Sequence, residues 1–167
     1  MTGYILNEAL LTRMMQIEKS SFSMPWSEED VREGFRRGAR LRFGGIWDAD
    51  GFLQGWGCVW IGMEEAHLMT LAIHPDARRK GFGRALLDFL ITASADAGCR
   101  YMELECRANN TAAQYLYKTR GFIRVGKKPG YYTDTGEDAY IYVLPALPEG
   151  RPENDPYLIR EDDELDT

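Results

Sequence analysis

The stretch that most narrows what this chain can fold into is Leu71-Ala72-Ile73-His74-Pro75-Asp76-Ala77-Arg78-Arg79-Lys80-Gly81-Phe82-Gly83-Arg84-Ala85-Leu86-Leu87. The near-continuous apolar run over residues 66–74 reads as a buried strand. A basic loop follows. Gly81 and Gly83 then lead straight into an amphipathic helix whose stripe is Phe82, Leu86, Phe89, Leu90 and Ala93, with Gly98 as its stop. Glycines let the backbone approach a ligand closely, and the first amides of a helix have no partner inside it. With the helix dipole and the charges of Arg78, Arg79, Lys80 and Arg84, this makes an anion site. Two phosphate loops are excluded. A Walker loop needs Gly-Lys-Ser/Thr, where here Gly83 is followed by Arg84-Ala85, and a dinucleotide fingerprint needs a small residue where Leu86 stands. By itself a basic G-x-G turn is equally an ordinary helix start.

The remaining segments extend the α/β pattern. Leu10, Leu11, Met14, Met15 and Ile17 recur at helical spacing over residues 7–21. Phe22-Ser23-Met24-Pro25-Trp26 breaks that helix, and Ser27 with Asp30 three positions on approximates a capping box for a second. Residues 41–47 and 51–61 read as a hairpin turned at Asp48-Ala49-Asp50-Gly51. Residues 101–107 alternate, with Met102, Leu104 and Cys106 on one face and Tyr101, Glu103 and Glu105 on the other. Asn109 or Asn110 can cap a short helix ending near Gly121, and strands at 123–127 and 138–144 finish the domain. The expectation is one mixed α/β domain on a single sheet, with no internal repeat.

Charge and cysteine use set the class. From Pro148 to Thr167 eight acids face two arginines, which accounts for the whole net charge of −6. The sequence therefore divides into a domain over 1–147 and an acidic tail over 148–167, read as poorly ordered and removable without loss of folding. The alternative reading of the tail is a steering patch for a basic partner. No basic stripe with interleaved aromatics suggests nucleic-acid binding, and no apolar run is long enough for a bilayer. Three cysteines without C-x-x-C spacing, only two histidines and no visible secretory signal point to a reduced, metal-free, cytoplasmic domain. His67, His74 and the cysteines read as structural.

Arg78-Arg79-Lys80-Gly81-Phe82-Gly83 resembles the R/Q-x-x-G-x-G/A pyrophosphate loop of the GNAT superfamily of N-acetyltransferases. Leu104-Glu105-Cys106-Arg107-Ala108-Asn109-Asn110-Thr111-Ala112-Ala113, with Leu116-Tyr117 and Gly121-Phe122, is similar to its RimI-like branch. So are Met24-Pro25-Trp26-Ser27, Gly130-Tyr131-Tyr132 and Glu137-Asp138-Ala139. The resemblance spans residues 4–145 and says nothing of the tail. It implies a GNAT fold, a central mixed sheet flanked by helices. It also implies transfer of acetyl from acetyl-CoA, without a metal, to the N-terminal α-amine of a small-subunit ribosomal protein. The same motifs would serve a lysine or small-amine acetyltransferase, and a CoA-binding module without turnover is the rival from another class.

The resemblance also implies roles. Glu105 matches the family's proton acceptor, acting through water; without the resemblance it is one of two strand glutamates, with Glu103 the competitor. Tyr117 matches the general acid for the leaving thiolate, whereas Tyr115, two positions away on the helix, faces elsewhere. Backbone groups of Leu71, Ala72 and Ile73 and the loop from Arg78 to Gly83, with Arg84, are implied to hold CoA. Asn110 is implied to contact it, and is at the same time a good helix cap. The acceptor groove is expected between Met24 and Trp26 on one side and Tyr131 and Tyr132 on the other.

Overall fold

The computed structural model describes residues 1–155. Its elements are β1 (Thr2–Ile5), α1 (Leu11–Ser21), α2 (Glu28–Arg37), β2 (Leu41–Trp47), β3 (Leu53–Ile61), β4 (Glu65–Ile73), α3 (Phe82–Asp96), β5 (Tyr101–Arg107), α4 (Thr111–Thr119), β6 (Ile123–Tyr132) and β7 (Glu137–Leu144). Local signals act where the sequence puts them. Ser27 caps α2 through a complete capping box with Asp30. Asn110 caps α4, its Oδ1 accepting from the Ala113 amide at 3.1 Å. Gly98 ends α3 at φ +93, a conformation that favours glycine.

All strands join one sheet in the order β1-β2-β3-β4-β5-β7-β6, and every adjacent pair is antiparallel except β4–β5. The sheet separates two cores. Met14, Ile17 and Val31 of α1 and α2 pack with Phe43, Trp56 and Cys58, while Leu86, Leu87 and Leu90 of α3 pack with Val59, Met102 and Leu104. Burying each such side chain contributes about 1.5–3 kcal/mol. Two features lay outside the sequence reading. β1 is a four-residue edge strand with little pattern to detect. β6 runs on through Pro129, which an edge strand tolerates because its outward amides need no partner.

β4 is also not the wholly buried strand its apolar run suggests. Ala66, Leu68 and Ala72 are buried, but Glu65 and Met69 are exposed. Cys58 pairs with Thr70 and Val59 with Leu68, so Met69 is an extra residue in the ladder, a β-bulge. β4 and β5 pair only over Glu65–His67 and Tyr101–Glu103. Beyond these three residues the two strands have no partners in each other, and the sheet opens.

Residues 148–155, which composition assigns to the tail, lie against the domain. The Arg151 amide donates to Asp96 at 2.7 Å, and the Arg42 guanidinium, 3% exposed, pairs with Asp155 at 2.8 Å. The acids from Glu161 to Asp166 lie outside the described residues. Among the described residues no helix is long and apolar enough to cross a membrane.

Candidate active site

The opening between β4 and β5 is a cleft of about 930 Å³ that passes from one face of the sheet to the other. Glu18, Ser23, Met24 and Trp26 line it on the α1–α2 side, Asn110, Leu116 and Tyr117 on the α4 side, and Tyr131 and Tyr132 at the rim. Leu71 and Glu105 lie in its walls. The parallel register and the strand alternation bring in the two central groups. Leu104 and Cys106 face the α3 core, which turns Glu105 to the α1–α2 face, while Tyr117 sits in the α3 core beside Tyr142 and Phe122. Tyr115, by contrast, is 72% exposed, as its position two residues away requires.

Glu105 is held on both oxygens. Oε2 lies 2.6 Å from His67 Nε2, and Oε1 accepts from Lys128 Nζ at 2.6 Å. The His67 hydrogen bond, with Lys128 adding to it, drives the Glu105 carboxyl down to about 2 against the opposing effect of burial. The same contact raises His67 above its ordinary value. His67, read from the sequence as structural, is therefore a hydrogen-bonded neighbour of the candidate acceptor. Neither it nor Lys128 was found by sequence reasoning. Their signal was only a polar residue on a strand and one of two adjacent lysines, and nothing local shows that both approach Glu105. Glu103, the competitor, lies beside His67 but does not line the cleft.

Burial raises Tyr117 above the ordinary phenol value, so it stays protonated at any working pH. Cys106, in the cleft wall, is pushed up to about 11 by burial, which removes it as a nucleophile near neutrality. Over the α1–α2 end of the cleft, Ser23 Oγ donates to Asp134 Oδ2 at 2.5 Å. This bond joins the α1–α2 segment to the β6–β7 turn. Arg107 fixes that turn from below: it pairs with Asp134 at 2.8 Å and Glu137 at 3.3 Å, and its guanidinium lies 4.0 Å from the Tyr132 ring centre.

Not all expected cofactor residues line the cleft. Ala72 is buried in the core, and Ile73 and residues 78–84 continue past the cleft from Leu71. They adjoin it nonetheless. Arg78 donates to Ile73 O at 3.1 Å and to Ser21 Oγ at 3.3 Å, and the Cβ position of Gly83 is 3.5 Å from Leu116. Arg79 at φ +62 and Gly81 at φ +86 turn the chain into α3, whose first turn has no side-chain cap among the described residues. Arg79, Lys80 and Arg84 are exposed around it. Uncapped amides beside these cations suit a phosphorylated ligand, and the β5-facing edge of β4 beyond His67 offers backbone groups to an extended one.

Comparison with known proteins agrees with this geometry. The profile of the acetyltransferase (GNAT) family matches residues 11–122. The [ribosomal protein bS18]-alanine N-acetyltransferase of Escherichia coli (strain K12) is 36% identical over 132 residues, covering 77% of this chain and 86% of that protein. The protein of the same name from Salmonella typhimurium (strain LT2) is 35% identical over 145 residues, 84% of this chain and 95% of that one. The crystal structure of the ribosomal-protein-S18-alanine N-acetyltransferase from Escherichia coli superposes with a TM-score of 0.79 at 32% identity, covering 90% of this chain and 97% of that chain. With fold, cleft and relatives in agreement, the chain belongs to the GNAT family and is an N-acetyltransferase of its RimI-like branch.

Proposed function

We propose that this enzyme transfers acetyl from acetyl-CoA to the N-terminal α-amine of a small-subunit ribosomal protein. The observation that carries the reading is the cleft through the sheet, with Glu105 on one face and Tyr117 on the other. A donor bound along β4, with its pyrophosphate on the loop from Arg78 to Gly83, enters from the α3–α4 side. Leu71, Ala72 and Ile73 contribute backbone groups and Asn110 a side-chain contact, with Arg84 adding charge. The acceptor enters from the opposite face between Met24, Trp26, Tyr131 and Tyr132. The Ser23–Asp134 bond across this entrance supports end-on insertion of a chain terminus. The relatives named as alanine N-acetyltransferases of a ribosomal protein support the choice of acceptor.

An α-amine with a pKa near about 8 arrives mostly protonated, so a proton must leave before it can attack. Glu105 accepts it through water. The amine nitrogen then bonds to the thioester carbonyl carbon, and the carbon–sulfur bond breaks as the tetrahedral intermediate collapses. Tyr117 donates to the departing sulfur, and the second proton of the amine nitrogen, released through water, replaces the one Tyr117 gave up, so the products are the amide and CoA thiol, with the first proton on Glu105.

Mass spectrometry of peptides incubated with enzyme and acetyl-CoA tests the reading. The panel pairs ribosomal-type N-termini bearing free or blocked α-amines with an internal lysine. Acetyl on free α-amines alone is expected. Acetyl on lysine alone overturns the acceptor assignment, and no transfer with CoA bound overturns the catalytic reading.

A further inference from the structure

A carboxylate gripped by two cations is a poor proton acceptor, yet Glu105 is the only carboxyl of the cleft wall on β5. Of its two partners, Lys128 stays charged throughout the working range, since its contact with Glu105 raises it further. His67 is the one whose ordinary titration lies near neutrality, and its contact with Glu105 shifts it upward. It also stands apart from the chemistry: it touches Glu105 but does not line the cleft, and its side chain is 30% exposed, open to exchange with solvent.

The charged and titratable groups around His67 are few. β5 presents Glu105 and Glu103, and β6 presents Lys128. β3 places uncharged Trp60 opposite it, and on its own face Glu65 is engaged by the Tyr101 hydroxyl at 2.9 Å. A neutral imidazole with its proton on Nε2 still donates to Oε2, so the rotamer of Glu105 survives the loss of charge.

We infer that His67 is a positioning residue whose charge sets the proton affinity of Glu105, the neutral imidazole giving the active form and the imidazolium an attenuated one. The inference rests on the reading of Glu105 as proton acceptor. Its consequence is an acid limb in kcat that belongs to neither the acceptor amine nor Glu105 itself. Below the His67 transition, kcat falls by about threefold more than amine protonation explains: the neutral ring keeps the hydrogen bond to Oε2, so only the charge contact is lost, and about one pKa unit of proton affinity acts through a half-developed proton transfer.

The experiment is the pH profile of kcat for the full chain and for His67→Gln, which keeps a donor for Oε2 without a titratable charge. Amine ionisation is common to both and cancels in their ratio. The ratio of unsubstituted to H67Q kcat should fall by about threefold from alkaline to acid pH; a flat or rising ratio overturns the inference. Independently of whether H67Q folds, NMR titration should show the His67 pKa falling in Glu105→Gln, and no change there also overturns it. Failure of the parent reading looks different: E105Q would then keep kcat within a few-fold. An inactive E105Q beside a flat H67Q ratio removes only the role of His67.

Discussion

Glu18 is 1% exposed, in the last turns of α1 and in the wall of the cleft. Its Oε1 accepts the Trp26 amide at 3.1 Å, while Oε2 is buried with no hydrogen-bond partner among the described residues. Burial raises its carboxyl to about 7 from 4.5, offset in part by the Trp26 amide. The native state therefore binds this proton more tightly than the unfolded chain does. Stability from this group is intact below about pH 4.5, declines by up to about 1.4 kcal/mol per pH unit, and levels off above about pH 7. The full change is on the order of 3 kcal/mol. Glu18→Gln keeps the acceptor for Trp26 and removes the titration, at a pH-independent cost of about 1–3 kcal/mol for a buried amide group lacking a partner. Urea unfolding of both proteins from pH 4.5 to 8 measures the difference. Relative to the unsubstituted chain, E18Q should gain about 3 kcal/mol across that range, a relative Tm shift of roughly 6–12 °C for a domain of this size. A stability difference constant to within about 0.5 kcal/mol would refute the argument, because the absolute cost of the amide cannot mimic a pH dependence.

Three further outcomes are expected. Tyr117→Phe should lower kcat by about a hundredfold with both KM values nearly unchanged, and unaltered kcat would remove Tyr117 as the acid. Gly81→Ala places a side chain at φ +86, so it should cost about 1 kcal/mol in urea titrations. In calorimetry it should also weaken CoA by roughly tenfold, one lost amide–phosphate bond; undiminished affinity would take the loop out of the donor site. Truncation after Leu147 removes Asp155 together with the segment that covers Arg42 and should cost about 1–3 kcal/mol, the loss of a charge-assisted pair, whereas truncation after Asp155 keeps that pair. Equal Tm values for the two truncations would show that residues 148–155 do not stabilise the domain.

What was legible in the sequence is what neighbouring residues decide. The capping box of Ser27 and Asp30, the αL stop at Gly98 and the alternation of β5 all act within about four positions, so the element that each begins, ends or patterns follows from local spacing. Glu105, Tyr117 and the glycine loop stood out because a motif keeps the residue types and the order that the chemistry needs. Only the tertiary structure decided how those pieces meet. A bulge at Met69 and a parallel pairing just three residues long open the sheet into a cleft, and no local signal measures where two strands part. The same pairing brings His67 to Glu105 across 38 positions, and β6 brings Lys128 across 23. The protonation of the site follows from those approaches, because charge interaction and desolvation depend on distance through space and on burial, neither of which is written in sequence separation.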